Sequence, residues 1–376
     1  MPEGSRFAAH TDIREKEMKR RIAALVFIVM VLSLFGCLHP IDPLKPEGED
    51  TYSSESSSHF SESSFSEQSS SVPEVISSLP PEDKSSEITP PDPSLKELKK
   101  GDKGEEVLRM QERLKEMNWL FGEADGEYGT RTEEAVFRFQ KHNGLEETGS
   151  ADVYTLDLLY SDRAEKYLPL KGLKIGIDPG HQKKGNYEKE PVAPGSETMK
   201  TKVSSGTAGV VSRVPEYKVV LIVGLRLKEL LENFGATVIM TREVNEVDLS
   251  NIDRAKIFNE AETDYAIRLH CNGSDDPTMY GVSVLIPKTH AMKDECRKAA
   301  EYLLASFCDV TKERNRGIKE RREQTGFNWC ERMIINIEMG YMSNEEDDLK
   351  LTDSEYQEKM CWGILYGIVS YFENSN

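Results

Sequence analysis

Residues 172–376 alternate between short apolar runs and longer amphipathic runs, and this alternation is the strongest constraint on the fold. The short runs have the length and the turn-forming borders of strands; they are 173–178, 236–241, 265–270, 281–287 and 333–338. The longer runs repeat apolar residues with the helical period; they are 216–234, 251–262, 291–308 and 355–372. Such alternation predicts a layered α/β domain, in which helices flank a mostly parallel sheet. The strands 265–270 and 281–287 are separated by only about ten residues, so the parallel order can break at that pair.

Four residues suited to metal binding or acid–base chemistry stand at the ends of these predicted elements. His181 follows the first strand, His270 and Glu338 end two others, and Glu216 begins a long helix. Because the strands of a parallel sheet end at one edge, we expect all four side chains to face that edge. Two imidazoles and one carboxylate form the ligand set of an open catalytic zinc site, in which water takes the fourth position.

Taken alone, each of these residues also has a purely structural explanation. His270 is compatible with a buried core position in which its ring nitrogens are hydrogen-bonded, and Glu216 is compatible with the positive N-terminal end of a helix. Glu338 suits a buried ion pair with an arginine such as Arg268 or Arg242. The spacing along the chain matches no short zinc motif, so the metal-site hypothesis depends on the convergence of all four positions.

A small all-α module of three helices is predicted between residues 95 and 161. Apolar residues recur at helical spacing in three stretches, which are 104–117, 130–142 and 151–160. At about 65 residues, the module lies near the lower size for an independent core. An Asp125-Gly126 turn joins the first two helices, and the later carboxylates do not have the spacing of an EF-hand calcium loop.

Several features of this module occur together in a recognisable order. They are the segment LKKGDKG at 98–104, Val107, Gln111, Leu114, the Asp125-Gly126 turn, Gly129 and the pairs 131–132, 135–136 and 139–140. In this combination the module resembles the peptidoglycan-binding domain common in bacterial wall hydrolases. The resemblance implies that the module recognises peptidoglycan, through wall peptides, and performs no catalysis.

The C-terminal region carries a second ordered set of motifs. They are IGIDPGH at 175–181, Pro215-Glu216, GATV at 235–238, Thr241-Arg242, Asn251, Arg254-Ala255, Asn259, RLHCN at 268–272 and EMGYMSN at 338–344. This set resembles the zinc-dependent N-acetylmuramoyl-L-alanine amidases, and we therefore expect an amidase domain over 172–374. The resemblance implies Zn²⁺ as the cofactor and His181, Glu216 and His270 as its ligands. It also implies that Glu338 is the catalytic residue.

The resemblance further implies the reaction, which is hydrolysis of the amide bond between N-acetylmuramic acid and L-alanine of the stem peptide. Zinc-activated water would attack the amide, with Glu338 as the general base. Two alternatives stay open, a zinc peptidase acting on the wall stem peptide and a non-catalytic wall-binding protein. The sequence departs from the family pattern at Cys271, where a small residue is usual. Strand alternation predicts that Cys271 points away from His270 and has no role.

The sequence of the N-terminal region indicates that the protein is exported and anchored to a membrane. Residues 18–37 combine basic residues with an unbroken apolar run, which is the pattern of an export signal or a short membrane anchor. The run ends LFGC and resembles the lipobox of bacterial lipoproteins, although Phe35 stands where a small residue is usual. The resemblance implies Cys37 as the lipid anchor. A start at Met18 rather than Met1 would give a leader of the usual lipoprotein length.

Residues 38–94 are dominated by Ser, Glu and Pro and predict a disordered linker, because they cannot bury enough apolar surface to fold. The linker would tether the folded domains to the outer face of the cytoplasmic membrane and let them reach the cell wall. The net charge of −18 argues against nucleic acid as a partner. The oligomeric state stays open.

Two loops and the cysteines remain, and each loop allows two interpretations. The long loop 182–213 suggests a substrate-gripping or gating element, or else a mobile surface insertion. The basic segment 312–332 suggests contact with the glycan or the anionic wall peptide, or else a solvated charged face. Apart from Cys37, five cysteines remain, with neither disulfide nor zinc spacing, and most are expected to be small core residues.

Overall fold

A computed structural model of the chain describes residues 94–375. The predicted leader 18–37, Cys37 and all but the last residue of the predicted linker lie outside the described residues. Within 94–375, no helix combines the length and the apolar character that crossing a membrane requires.

The C-terminal region is built on a mixed sheet of six strands, accompanied by a two-stranded hairpin. The strands are β1 (Lys174–Pro179), β2 (Asn186–Pro191), β3 (Met199–Val203), β4 (Thr237–Met240), β5 (Tyr265–Asn272), β6 (Val282–Pro287), β7 (Asn315–Arg321) and β8 (Ile334–Tyr341). The order across the sheet is β4-β1-β5-β8-β6-β7, and the hairpin pairs β2 with β3. Strands β4, β1, β5 and β8 are parallel, whereas β6 runs antiparallel to β8 and β7 is parallel to β6.

The predicted mostly parallel sheet is confirmed, and all five predicted strands are present. Strand β6 follows β5 in the chain but is not its neighbour in the sheet, because β8 lies between them. The break in parallel order therefore falls between β8 and β6, which are antiparallel. The pattern did not indicate the edge strand β7 or the hairpin. Their sequences, NRGIKER, NYEKEP and MKTKV, are largely polar and partly exposed, so they lack the apolar run that identifies a strand.

Helices cover both faces of the sheet. In chain order, the helices of residues 94–375 are α1 (Glu105–Glu116), α2 (Thr130–His142), α3 (Val153–Tyr160), α4 (Glu216–Asn233), α5 (Asn251–Ala261), α6 (Lys293–Thr311), α7 (Thr325–Trp329), α8 (Glu345–Thr352) and α9 (Ser354–Glu373), of which the first three belong to the N-terminal module. Ile267 and Ile337 point into the larger apolar layer, which α4, α6 and α9 cover. Ala266 and Ile334 point the other way and pack with Phe258 of α5. Burial on both faces explains why these strands are continuously apolar.

Helices α1 to α3 form the small N-terminal module, and the buried Gln111 of α1 organises its turn. Gln111 Nε2 donates to Asp125 Oδ1 at 3.0 Å and to Thr132 Oγ1 at 2.9 Å. Gln111 Oε1 accepts the backbone N–H groups of Asp125 and Gly126 at 3.0 and 2.7 Å. One side-chain amide therefore closes the connection between α1 and α2.

A continuous apolar core joins the module to the sheet domain. Trp119 stacks on Tyr167, with ring centroids 4.4 Å apart, and Phe121 packs against Phe234 at 5.4 Å. Asn118 Nδ2 donates to the carbonyl of Asn233, which ends α4, at 2.8 Å. Because a module of this size lies near the limit for an independent core, the shared contacts supply apolar burial that its own helices cannot.

The five cysteines of the described region are free thiols. Four are buried and Cys308 is half-buried, as expected for small core residues. Burial raises the pKa of Cys361 to about 12, so this thiol stays protonated at neutral pH.

Candidate metal centre

The end of β1 is held in a shape that presents His181 to the sheet edge. Arg254 donates from Nη1 to the Pro179 carbonyl at 3.0 Å and from Nη2 to the His181 carbonyl at 2.9 Å. His181 itself has a φ of 59°, in the left-handed region. Gly180 is required beside it, because a Cβ there would lie 2.2 Å from the His270 ring. The tight turn thus allows the two imidazoles to approach each other.

His181, Glu216 and His270 each bring one donor atom to a common point. His181 Nε2 lies 3.1 Å from His270 Nδ1 and 3.3 Å from Glu216 Oε1, and His270 Nδ1 lies 3.4 Å from Glu216 Oε1. In a tetrahedral zinc site with bonds of about 2.0–2.1 Å, neighbouring ligand atoms lie roughly 3.3–3.4 Å apart. The three donors form a triangle close in size to one face of such a tetrahedron, so this set fits zinc.

Neighbouring groups orient the three donors. His181 Nδ1 lies 3.0 Å from the Ser204 carbonyl, and an Nδ1–H donated there leaves the Nε2 lone pair for a metal. Glu216 accepts the Thr207 N–H on Oε2 at 3.0 Å and the Cys271 N–H on Oε1 at 2.9 Å. Ser204 and Thr207 follow β3, so the segment predicted as a long loop supports two of the candidate ligands.

Charges in the site favour ionised Glu216. Burial opposes the charge on Glu216, but hydrogen bonds from His181 and His270 outweigh burial and hold the pKa of Glu216 well below its usual value. Burial lowers the pKa of His270 to about 4, so this imidazole is neutral at pH 7. Burial also disfavours a charge on His181, but the hydrogen bond and the charge of Glu216 outweigh burial and raise the pKa of His181.

Glu338 lies beside this triangle, near the end of β8. It is in register with His270 on β5 and with Ser283 on β6, and residues paired in this way project from the same face of a sheet. Asn336 Nδ2 donates to Glu338 Oε1 at 2.9 Å. Burial, followed by the charge of Glu216, raises the pKa of Glu338 to about 7. A carboxyl group with such a pKa suits general acid–base catalysis near neutral pH.

The alternative in which Glu338 is the ion-pair partner of Arg268 or Arg242 is wrong. Arg268 Nε donates to Asp178 Oδ2 at 2.8 Å. Arg242 donates to backbone carbonyls, including that of Pro179 at 2.8 Å. Both guanidinium groups are therefore engaged elsewhere, and the hydrogen bond to Glu338 comes from a neutral amide.

Asp178 is a position that the sequence analysis did not single out. It is fully buried and accepts hydrogen bonds from Arg254 Nη1 at 2.6 Å, Arg268 Nε at 2.8 Å and Thr241 Oγ1 at 2.6 Å. Because Arg254 also holds the His181 carbonyl, Asp178 supports the turn that carries a candidate ligand. An acid at the end of an apolar strand is costly to bury without partners, and this signal could have identified it.

The side chain of Cys271 points into the larger apolar layer, away from the face that carries His270, as strand alternation predicts. The backbone of Cys271 nevertheless takes part in the site, because its N–H donates to Glu216. A main-chain contact of this kind leaves no signal in the residue type, so the sequence could not have indicated it.

Residues 175–370 match the family model described as N-acetylmuramoyl-L-alanine amidase. Residues 103–159 match the model described as putative peptidoglycan binding domain. The first match contains all four candidate site residues, and the second contains the three helices of the small module except for the last residue of α3.

Curated relatives include a probable cell wall amidase, LytH, of Staphylococcus epidermidis, which is 26% identical over 62% of this chain and 70% of the relative. The germination-specific N-acetylmuramoyl-L-alanine amidase of Bacillus subtilis is 26% identical over 54% of this chain and 82% of the relative. Among solved structures, the N-acetylmuramyl-L-alanine amidase Ami1 of Mycobacterium smegmatis aligns with a TM-score of 0.50. That alignment has 22% identity and covers 54% of this chain and 98% of Ami1, and it shows a shared fold.

Proposed function

This chain belongs to the N-acetylmuramoyl-L-alanine amidase family, and from that premise we propose a zinc-dependent mechanism that uses His181, Glu216, His270 and Glu338. The enzyme hydrolyses the amide bond between N-acetylmuramic acid and L-alanine in peptidoglycan, and it therefore acts outside the cytoplasm. One observation carries the mechanistic proposal: three donor atoms lie 3.1 to 3.4 Å apart beside a buried glutamate.

In this proposal, His181 Nε2, His270 Nδ1 and Glu216 Oε1 hold the metal. When bound, zinc supplies Lewis acidity, which lowers the pKa of water toward about 7 and polarises a carbonyl group. The protein contributes orientation before the substrate arrives. The carbonyl of Ser204 fixes the His181 ring, and the N–H of Thr207 fixes the Glu216 carboxylate.

Glu338 is the proposed general base and general acid. It accepts a proton from the attacking water and then donates that proton to the amine of L-alanine as the amide bond breaks. The bond from Asn336 occupies Oε1 of Glu338, which leaves Oε2 for proton transfer. General acid–base catalysis of this kind commonly increases the reaction rate by about 10²–10⁴-fold.

The small module, proposed to span 95–161, would hold peptidoglycan near the catalytic domain, proposed to span 172–374. Its match to a peptidoglycan-binding family supports this role. The packing of Phe121 on Phe234, which follows α4, docks the module against the sheet domain, so wall bound to one would stay within reach of the other.

The N-terminal residues would provide the tether. In this proposal residues 18–37 form the leader or anchor, Cys37 carries the lipid, and 38–94 form the linker to the outer face of the cytoplasmic membrane. Terminal analysis of the membrane fraction should find a lipidated Cys37 as the first residue. An intact peptide beginning at Met1 in that fraction would contradict lipid anchoring.

Purified wall treated with the full chain should release stem peptides that begin with a free L-alanine amine and leave peptide-free glycan. Mass spectrometry of the fragments measures this, with a chelator as the control, because removal of zinc should stop release. Cuts within the stem peptide would indicate a zinc peptidase instead. Absence of any chelator-sensitive release would indicate a non-catalytic wall-binding protein.

Replacing His270 with alanine should lower bound zinc from about one equivalent to less than about 0.2, because two remaining ligands form a poor site. Metal analysis of the purified variant is the measurement. His142→Ala, which removes a histidine of α2 outside the site, is the matched control and should keep its zinc. Zinc near one equivalent in His270→Ala would refute the ligand role.

A further inference from the structure

The edge strand β7 carries basic side chains that have no carboxylate partner within residues 94–375. The Lys319 ammonium makes no hydrogen bond or ion pair with any of these residues, and Arg321 Nη1 donates only to the Glu320 carbonyl, at 3.3 Å. Arg316 donates to a backbone carbonyl and a thioether. Burial, then the charges of Arg316 and Arg321, lowers the pKa of Lys319, whereas the charge of Glu338 acts in the opposite direction. This strand therefore presents positive charge that Glu338 compensates only in part, and a further anion would relieve it.

The register places Lys319 on the face that carries the candidate base. Leu285 of β6 pairs with Asn336 of β8 on one side and with Lys319 of β7 on the other. Ser283, two residues earlier on β6, pairs with Glu338. Residues paired across neighbouring strands project from the same face, so Lys319 shares a face with Asn336 and Glu338.

The strand order also sets a direction across the site. His181 follows β1, His270 lies on β5, Glu338 on β8 and Lys319 on β7, so the groups follow one another across the sheet. At about 4.8 Å between strands, β7 lies roughly 10 Å beyond β8. An extended peptide advances about 3.3–3.6 Å per residue, so two residues beyond the scissile amide reach about 7 Å in that direction. The four-carbon stem of Lys319 can span the remaining gap.

We propose that Lys319 is the central cation of a subsite that binds a carboxylate on the second residue of the leaving peptide. Arg316 and Arg321 add to the positive field around it. This inference rests on the proposed function, in which the leaving amine lies at Glu338, and deepens it by naming the preferred substrate class. The enzyme would favour wall peptides whose second residue keeps a free carboxylate over peptides in which that group is amidated.

The test uses the full chain loaded with zinc and two synthetic muramyl tripeptides, whose third residue is attached through the side-chain carboxyl of the second. They differ only in the main-chain carboxyl of that second residue, which is free in D-isoglutamate and amidated in D-isoglutamine. The parent enzyme should cleave the free-acid peptide with a kcat/KM about tenfold or more higher, since a bond between charged groups contributes that much. Lys319→Met should lose this preference by losing activity on the acid peptide alone. Lys319→Arg, which keeps the charge, should retain the preference.

Lys288→Met is the matched control, because Lys288 is exposed and follows β6 at the end farther from Ser283. It should leave both kcat/KM values unchanged. Equal losses on both peptides in Lys319→Met, or equal cleavage of both peptides by the parent, would overturn the subsite while leaving the amidase mechanism intact. Failure of the parent to cleave either peptide would instead overturn the proposed function together with the inference.

Discussion

Replacing Glu338 with glutamine is expected to lower turnover by about 10²–10⁴-fold while bound zinc stays near one equivalent. Glutamine has almost the same shape as glutamate and can still accept the bond from Asn336, so the fold should be kept. It has no carboxylate to take a proton from water, and the chemical step loses its base. The measurements are kcat on purified wall fragments and metal content of the variant.

Glu190→Gln is the matched control, since Glu190 is also a buried glutamate but belongs to β2 of the hairpin. Its turnover should stay within about threefold of the parent, as expected for a change outside the reacting groups. Parent-like turnover in Glu338→Gln would remove Glu338 from the chemistry. Loss of zinc in the same variant would assign it a role in metal binding instead.

Replacing Asp178 with asparagine is expected to reduce the free energy of unfolding by about 3–5 kcal/mol, because one partner of a buried ion pair is removed. The parent carboxylate faces two buried guanidinium groups, with contacts of 2.6 Å to Arg254 and 2.8 Å to Arg268. Asparagine leaves both positive charges without a neutralising partner. Chemical denaturation followed by circular dichroism measures the difference.

The pH dependence gives this prediction a second check. Burial disfavours the charged form of Asp178, but Arg254 and Arg268 outweigh burial and hold its pKa below the usual 3.8. Its contribution to stability is therefore complete well above the usual pKa of 3.8 and is lost progressively as the pH falls from there to the lower folded value. Parent and variant should differ by the same amount at pH 5 and pH 7.

A control for the stability measurement is Glu133→Gln, which breaks a more exposed pair with Lys100. Exposed pairs contribute little, so this change should cost less than about 1 kcal/mol. If Asp178→Asn were as mild as the control, the buried network would not hold the turn that carries His181.

Much of the site could be predicted because its residues are marked by local patterns. His270 and Glu338 lie near the ends of apolar strands, and Glu216 comes directly after Pro215 at the start of a helix that begins where it was expected. Asn336 was harder to identify, because one polar residue inside an apolar strand has several explanations. Only the strand register shows that Asn336 lies on the same face as Glu338, where it donates a hydrogen bond to the Glu338 carboxylate.

The sequence by itself determined the alternation of strands and helices, the three-helix module and the four candidate site residues, because periodicity and turn chemistry are properties of neighbouring residues. The tertiary structure alone decided the strand order, the insertion of β8 between β5 and β6, and the docking of Trp119 on Tyr167. It also decided that Asp178 is neutralised by arginines 76 and 90 residues away. These features depend on contacts between buried surfaces and charges that are far apart in the sequence, and a local sequence pattern does not specify such contacts.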